Sequence, residues 1–205
     1  MRVLAVDSSA RRRLVVAVAG AGGALVEGRV AVDVPLDTAL PALLGDLLRP
    51  APDAVVAVTG PGSYTGVRAG LAAALGVAQS LALPLHGTGA LQVVAFAAPE
   101  GVDEVLAVAD AGRGGVHLAR HRRERGGWQP LEPARRAAAS TLRLAEGTVA
   151  VTLDDPPPLG AAVRGDPLRA LAAAAWHALS APPLASSGLR AEYADAGGSE
   201  PILRV

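Results

Sequence analysis

Apolar and polar positions alternate in short blocks from the first residues. Val3 to Val6 is a β-branched run ending at Asp7-Ser8-Ser9, Leu14 to Ala19 is a second, and Leu25 to Val34 is a less cleanly alternating third. The polar Arg11-Arg12-Arg13 between the first two suits a hairpin tip. The period then changes. Leu36, Leu40, Leu43, Leu44 and Leu47 fall at helical spacing, which predicts a helix capped by Asp37 and running to about Arg49, where Pro50-Ala51-Pro52 stops it. Ala54 to Thr59 is a continuous apolar strand, as in a parallel sheet buried on both faces. Gly60 to Gly66 is a glycine-rich turn, with Thr65 the predicted cap of a long Ala- and Gly-rich helix over Val67 to Leu83. Pro84 to Gly87 is a short strand and Gly89 to Ala98 a helix ended by Pro99.

The pattern then restarts. Glu104 to Ala109 is a strand ending in Asp110, as the first ended in Asp7, and Gly115 to Arg120 follows a tight glycine turn. Thr148 to Leu153 is a later strand, Pro156-Pro157-Pro158 a rigid connector, and Asp166 to Leu179 a helix with Leu168, Leu171, Ala175 and Trp176 on one side. Beyond Pro182-Pro183 the tail has little periodicity up to Pro201-Ile202-Leu203. The β-β-β-α-β-α-β-α order, followed by a second strand-Asp-turn-strand, predicts an α/β protein with a weak internal duplication. That is the two-lobed actin/hexokinase-like (ASKHA) architecture, with residues 1–100 an N-terminal lobe and 101–205 a smaller, degenerate one carrying the C-terminal helix and tail.

Composition narrows the chemistry. The 205 residues are 51% hydrophobic with one Phe, two Trp and two Tyr, so the core must gather its area from many small contacts. All 19 basic residues are Arg, which excludes a lysine nucleophile, Schiff base or P-loop lysine; the absence of Cys excludes thiol chemistry. Net charge is zero, unlike a chain that grips nucleic acid by itself. No apolar run reaches membrane-spanning length and Asp7 interrupts any leader-like start, so the sequence predicts a cytoplasmic location without membrane contact.

The most specific stretch is Val58-Thr-Gly-Pro-Gly-Ser-Tyr-Thr-Gly-Val-Arg68-Ala-Gly-Leu71, continuing through small residues to Pro84. It resembles the signature of the bacterial TsaB (YeaZ) family. Leu4-Ala-Val-Asp7-Ser-Ser, Val15 to Val18, Ala109-Asp-Ala-Gly-Arg113 and Pro201-Ile-Leu-Arg204 fit the same family, whereas Gly114-Gly115 and Leu36-Asp37-Thr38 depart from its usual residues. The resemblance implies a non-catalytic scaffold in the complex that installs threonylcarbamoyl on adenosine 37 of tRNA. Its partners would be the catalytic paralogue TsaD and the small ATPase TsaE, with a homodimer when alone and tRNA met only through the complex. It implies no cofactor for this chain by itself, with ATP entering in the assembled complex. The implied interface lies on the two helices at about 37–49 and 67–83: Leu40, Leu43, Leu44, Leu47, Arg68, Leu71, Ala74, Leu75 and Ala78.

In ATPases and sugar kinases of this fold an Asp ending the first strand of each lobe faces a nucleotide cleft. Asp7 with Ser8, and Asp110 with Gly112, are the candidate cofactor residues here, in a cleft read as degenerate. The alternative function is a stand-alone actin-fold ATPase or small-molecule kinase. His117 and His121 have chelating spacing only on a helix; on a strand they stand about 13 Å apart, against a zinc–nitrogen bond of about 2 Å, so no metal site is expected. His86 and His177 read as partly buried polar residues. Ser63 does not sit in a Gly-x-Ser-x-Gly elbow, which disfavours a hydrolase. The Arg120 to Arg125 stretch reads as a solvated hairpin end.

Overall fold

A computed structural model describes residues 1–124, 126–185 and 190–192. Arg125 and the Pro201-Ile-Leu-Arg204 ending therefore lie outside the described residues. The first half runs β1 (Val3–Asp7), β2 (Arg13–Ala19), β3 (Leu25–Val32), α1 (Leu36–Leu47), β4 (Ala54–Val58), α2 (Tyr64–Ser80), β5 (Leu85–Thr88) and α3 (Ala90–Ala95). The second half runs β6 (Glu104–Gly112), β7 (Gly115–Glu124), β8 (Gly127–Pro130), β9 (Arg135–Ala138), β10 (Ala150–Thr152), β11 (Val163–Arg164) and α4 (Pro167–Ala178).

Two mixed sheets result. The first has order β3-β2-β1-β4-β5, with β1–β4 and β4–β5 parallel and the hairpin pairs antiparallel. The second has order β11-β10-β6-β7-β8, with β9 also pairing β7; β6–β10 and β10–β11 are parallel. The second path repeats the first, so the duplication expected from Asp7 and Asp110 is present in the topology.

Period-2 alternation divides each strand between two cores. On the first sheet Leu4, Val6, Val16, Val55 and Ala57 face α1 and α2, meeting Leu40, Leu44, Leu47, Val67, Leu71 and Ala74. The opposite residues, Val3, Ala5, Ala17 and Val56, face a central layer made by α3 and α4, whose other side meets Val105, Ala107, Ala119 and Val151 of the second sheet. That middle layer crosses the half-way point of the chain. Helix α3, from the first half, packs on β6, β7 and β10, while α4, from the second half, packs on β1, β2 and β3. Residues after α4 stay with the first sheet: Leu184 N donates to Leu85 O at 2.7 Å and Glu192 N to Thr59 O at 2.6 Å. The boundary at residue 100 therefore separates the sheets but not the helices that fill the space between them. Among the described residues no helix is long and apolar enough to cross a membrane.

Two capping expectations are corrected. Asp37 lies inside the first turn of α1, and Pro35 holds the cap position without a side-chain bond. Helix α2 starts three residues before Val67, and its cap is Ser63, whose Oγ accepts from Gly66 N at 3.3 Å; Thr65 is already helical. Serine at that position accepts from an amide two or three residues on, which is the geometry seen. Asp166 caps α4 in the same way, taking Leu168 N at 2.8 Å.

Candidate functional site

The first hairpin is a closed structure. Asp7 ends β1 with 4% of its surface exposed, and its Oδ1 accepts from Ser9 N at 2.9 Å and Ser9 Oγ at 2.6 Å. Ser8 Oγ donates to Gly66 O at 2.7 Å, and Ser63 N donates to Ser9 O at 2.7 Å. The glycines of the Gly60 to Gly70 stretch explain how α2 comes so near. A Cβ on Gly62 would stand 2.3 Å from Ser9 O, one on Gly66 2.1 Å from Ser8 O, and one on Gly70 2.2 Å from Ser8 Oγ. Side-chain-free positions at 62, 66 and 70 let the helix lie directly on the hairpin backbone. The two serine hydroxyls are thereby engaged inside the chain.

The second hairpin is open. Asp110 keeps 40% of its side chain exposed; its Oδ1 accepts from Gly112 N at 2.9 Å and its own N–H donates to Asp154 Oδ2 at 2.7 Å. Gly112, Arg113 and Gly114 make the turn with φ of 73°, 54° and 69°. Arginines from elsewhere converge on it. Arg11 lies over Gly112, with its Nε 3.9 Å from Asp110 Oδ2, and Arg136 donates to Gly112 O at 3.1 Å. Arg13 ties the lobes together by donating to Asp154 Oδ1 at 3.1 Å and to Leu153 O. A cavity of about 290 Å³ between the hairpins is lined by Arg11, Ser63, Tyr64, Thr65, Asp110 and His117, among others. Of the four candidate cofactor residues, Asp110 thus faces the cleft and Gly112 turns the backbone beside it, while Asp7 and Ser8 are sealed behind α2. Neither Arg11, Arg136 nor His117 was singled out for this site from sequence. Nothing in their spacing places them beside Asp110; only the strand pairing does.

The histidine pair lies on a strand, as expected, and both side chains are buried in β7. Burial first, and the nearby Arg136 second, hold the His117 imidazole below its ordinary pKa, with Asp110 opposing. Burial does the same to His121, partly offset by the Ala119 carbonyl at 3.2 Å. His86 is buried with Nδ1 3.1 Å from Ala181 O, and the His177 ring lies 5.7 Å from that of Phe96. Within the Arg120 to Arg125 stretch, Arg120 and Arg122 both pair with Glu104, and Arg123 stacks over Trp128 at 4.6 Å.

The implied partner residues divide in two. Leu40, Leu44, Leu47, Leu71, Ala74 and Ala78 are buried against the sheet. Leu43, Arg68 and Leu75 are only partly covered. The outward face of α2 consists of Thr65, Ala72, Gly76 and Gln79 with these, and a shallow groove of about 490 Å³ runs between Leu48, Arg49, Ala73, Gly76, Val77 and Leu81. Arg68 stacks on the Tyr64 ring at 4.0 Å.

A five-stranded and a six-stranded sheet with one repeated path, joined around a shared helical layer, make a two-lobed actin-like (ASKHA) fold. Comparison with known proteins agrees. The chain superposes on YeaZ from Pseudomonas aeruginosa with a TM-score of 0.66, at 22% identity over 89% of this chain and 95% of that one. A second solved chain, described as similar to peptidase YEAZ from Pseudomonas aeruginosa, gives 0.65 at 21% identity over 92% and 99%. A family model described as "TsaD: tRNA N6-adenosine threonylcarbamoyltransferase" matches residues 46–142. Over 70 residues the chain is 41% identical to the tRNA threonylcarbamoyladenosine biosynthesis protein TsaB of Escherichia coli, 33% of this chain and 30% of that protein. A Mycobacterium leprae protein is 39% identical over 70 residues, 19% of its own length. The matched segment thus spans under a third of these curated relatives. The chain is thus similar to YeaZ in fold over most of its length, and in sequence to TsaB over about a third of it.

Proposed function

We propose that the chain is a non-catalytic scaffold in the installation of threonylcarbamoyl on adenosine 37 of tRNA, docked on a TsaD-type paralogue and recruiting a TsaE-type ATPase. Similarity to TsaB supports a role in this modification. The observation that carries the scaffold reading is the sealed first hairpin. With Ser8 and Ser9 bonded to α2 and its glycines pressed against their carbonyls, Asp7 and Ser8 have no room for a metal-bound nucleotide. The docking surface in this reading is the outward, small-residue face of α2 with Leu43 of α1, which lets a partner helix approach closely; a second copy covers it when no paralogue is present. ATP belongs to the assembled complex.

Reconstitution tests the function: with purified paralogue, TsaE-type ATPase and tRNA, modification should depend on adding this chain. Turnover of Mg-ATP by the chain alone, abolished by Asp7→Ala, would instead establish a stand-alone ATPase or kinase. The interface is tested separately. Ala72→Arg, on the exposed face, should abolish co-elution with the paralogue while leaving the melting temperature unchanged. Ala74 is unsuitable for that purpose, because it is fully buried and an arginine there would test folding instead.

A further inference from the structure

Strand β3 is an edge of the first sheet. It pairs with β2 on one side, and among the described residues no strand pairs with the other. Just past its end Asp33 N donates to Arg12 O at 2.9 Å. Antiparallel strands alternate between residues whose backbone groups face the neighbouring strand and residues whose groups face away. Ala31 and Arg29, in step with Asp33, therefore bond to β2, and the N–H and C=O groups of Val32, Val30 and Gly28 point outward. The register shift between Val18 and Ala19 takes Val26 out of this alternation.

Native edges are usually guarded by charge, by proline or by a covering element. This one presents valine. Leu168, in the first turn of α4, lies over Gly28. Val30 and Val32, two and four residues along the same face, stay 39% and 54% exposed. On the opposite face stand Arg29, Ala31 and Asp33. Asp33 Oδ1 accepts from Arg12 Nε at 2.7 Å, and Arg29 donates to Glu27 Oε1 at 3.0 Å in an exposed pair that is worth little by itself.

This edge is complementary to itself. In an antiparallel pairing centred on Ala31, Val30 falls opposite Val32 of the second copy and Val32 opposite its Val30. On the other face each Arg29 falls opposite an Asp33. The two Ala31 residues form a non-hydrogen-bonded pair, where side chains come closest and a methyl group fits. Other centres fit worse. Centring on Val30 sets Glu27 against Asp33, and centring on Arg29 sets two arginines face to face; like charges directly opposite are destabilising.

We propose that β3 is a self-association edge, on which two copies of this chain pair antiparallel about Ala31 and join their first sheets into one. The outward groups of Val30 and Val32 supply about four main-chain hydrogen bonds between the copies. The edge is separate from the outward face of α2, so the pairing stands whether or not the scaffold reading does. So short a contact buries well under the roughly 1,600 Å² of a standard interface, and the dimer therefore dissociates on dilution.

The test uses the full chain, with Ala72→Arg in every sample to close the α2 face. If α2 docks nothing, that substitution changes nothing, so failure of one reading is not mistaken for failure of the other. Sedimentation velocity over a concentration series should show monomer passing to dimer. Val30→Arg, at an exposed side chain, should weaken association about tenfold or more, and Arg29→Asp, which sets carboxylates against each other, should do likewise. The chain has no cysteine, so Ala31→Cys is a clean probe of register. Cα atoms in such a pair stand about 4.5 Å apart, within disulfide reach, and mild oxidation should cross-link it. Arg29→Cys, offset from its own copy along the strand, should not cross-link. The proposal is overturned if the chain stays monomeric at every concentration, if Val30→Arg associates like the parent, or if the two cysteine variants cross-link equally. A monomer whose Val30 and Val32 amides are protected from exchange only by an added valine-rich peptide would assign the edge to a foreign strand, and would overturn it too.

Discussion

The two lobes share a strand path but are dressed differently. The first sheet carries α1 and α2 on its outer face, after β3 and β4. At the matching places in the second sheet, after β9 and β10, the chain has only a short 3-10 turn at Ala139–Thr141 and the Pro156 to Pro158 stretch. The outer core of the second lobe is accordingly small: Leu106, Val108, Val116, Leu118, Ala150 and Ala162, covered by Leu142, Leu144 and Leu159. The same contrast holds at the hairpins, one sealed by a helix and one open to solvent. Without counterparts of these two helices the second half leaves Asp110 exposed, whereas in the first half they close over Asp7 and present an outward helical surface.

That comparison can be broken from the side of the core first. Leu47 of α1 is fully buried, so Leu47→Ala should cost about 3 kcal/mol in urea unfolding, whereas Leu144→Ala, half-covered under the second sheet, should cost about 1 kcal/mol or less. Equal costs would mean that the second outer core is as well packed as the first. The hairpins give the next contrast. Gly66→Ala drives a methyl into Ser8 O and should cost about 2 kcal/mol, with the amide signals of Ser8 and Ser9 displaced. Gly114→Ala meets open space and bears only the strain of φ +69°, about 1 kcal/mol.

The smallest effect is in pH, and it arises at His121 of the second lobe. Burial lowers the pKa of His121, so below about 6.5 the unfolded chain takes up a proton that the folded chain refuses. Stability should be full above that pH and decline as pH falls through it. His121→Gln should flatten the decline in thermal melts between pH 7 and 5; an unaltered slope would assign it to another group.

Much of this was legible in the sequence. The order of elements through α3 follows directly from a switch between period 2 and helical spacing, and Asp7 and Asp110 mark the repeat. Strands β8 and β9 were not legible, because Gly127-Trp128 and Arg135-Arg136 carry no alternating apolar face and owe their pairing to β7. Small residues on a helix leave room for a neighbour, and the sequence cannot tell an internal neighbour from an external one: Gly70 lies against this chain's own Ser8, whereas a Cβ on Gly76 would meet open space. Of the α1 leucines implied as interface residues, Leu40, Leu44 and Leu47 are likewise taken up by the sheet and α2. Arg11, Arg136 and His117 come together only through register, which no local pattern encodes.

The return of α4 to the first sheet bears on how the molecule is made. During synthesis β1 to β5 emerge early, yet the face formed by Val3, Ala5, Ala17 and Val56 is not covered until Pro167–Ala178 has left the ribosome. The N-terminal half must therefore wait, with one side of its sheet wet, for nearly the whole polypeptide to be translated. A message truncated before residue 166 would yield a nascent chain with that apolar face bare, a natural substrate for chaperones and proteases.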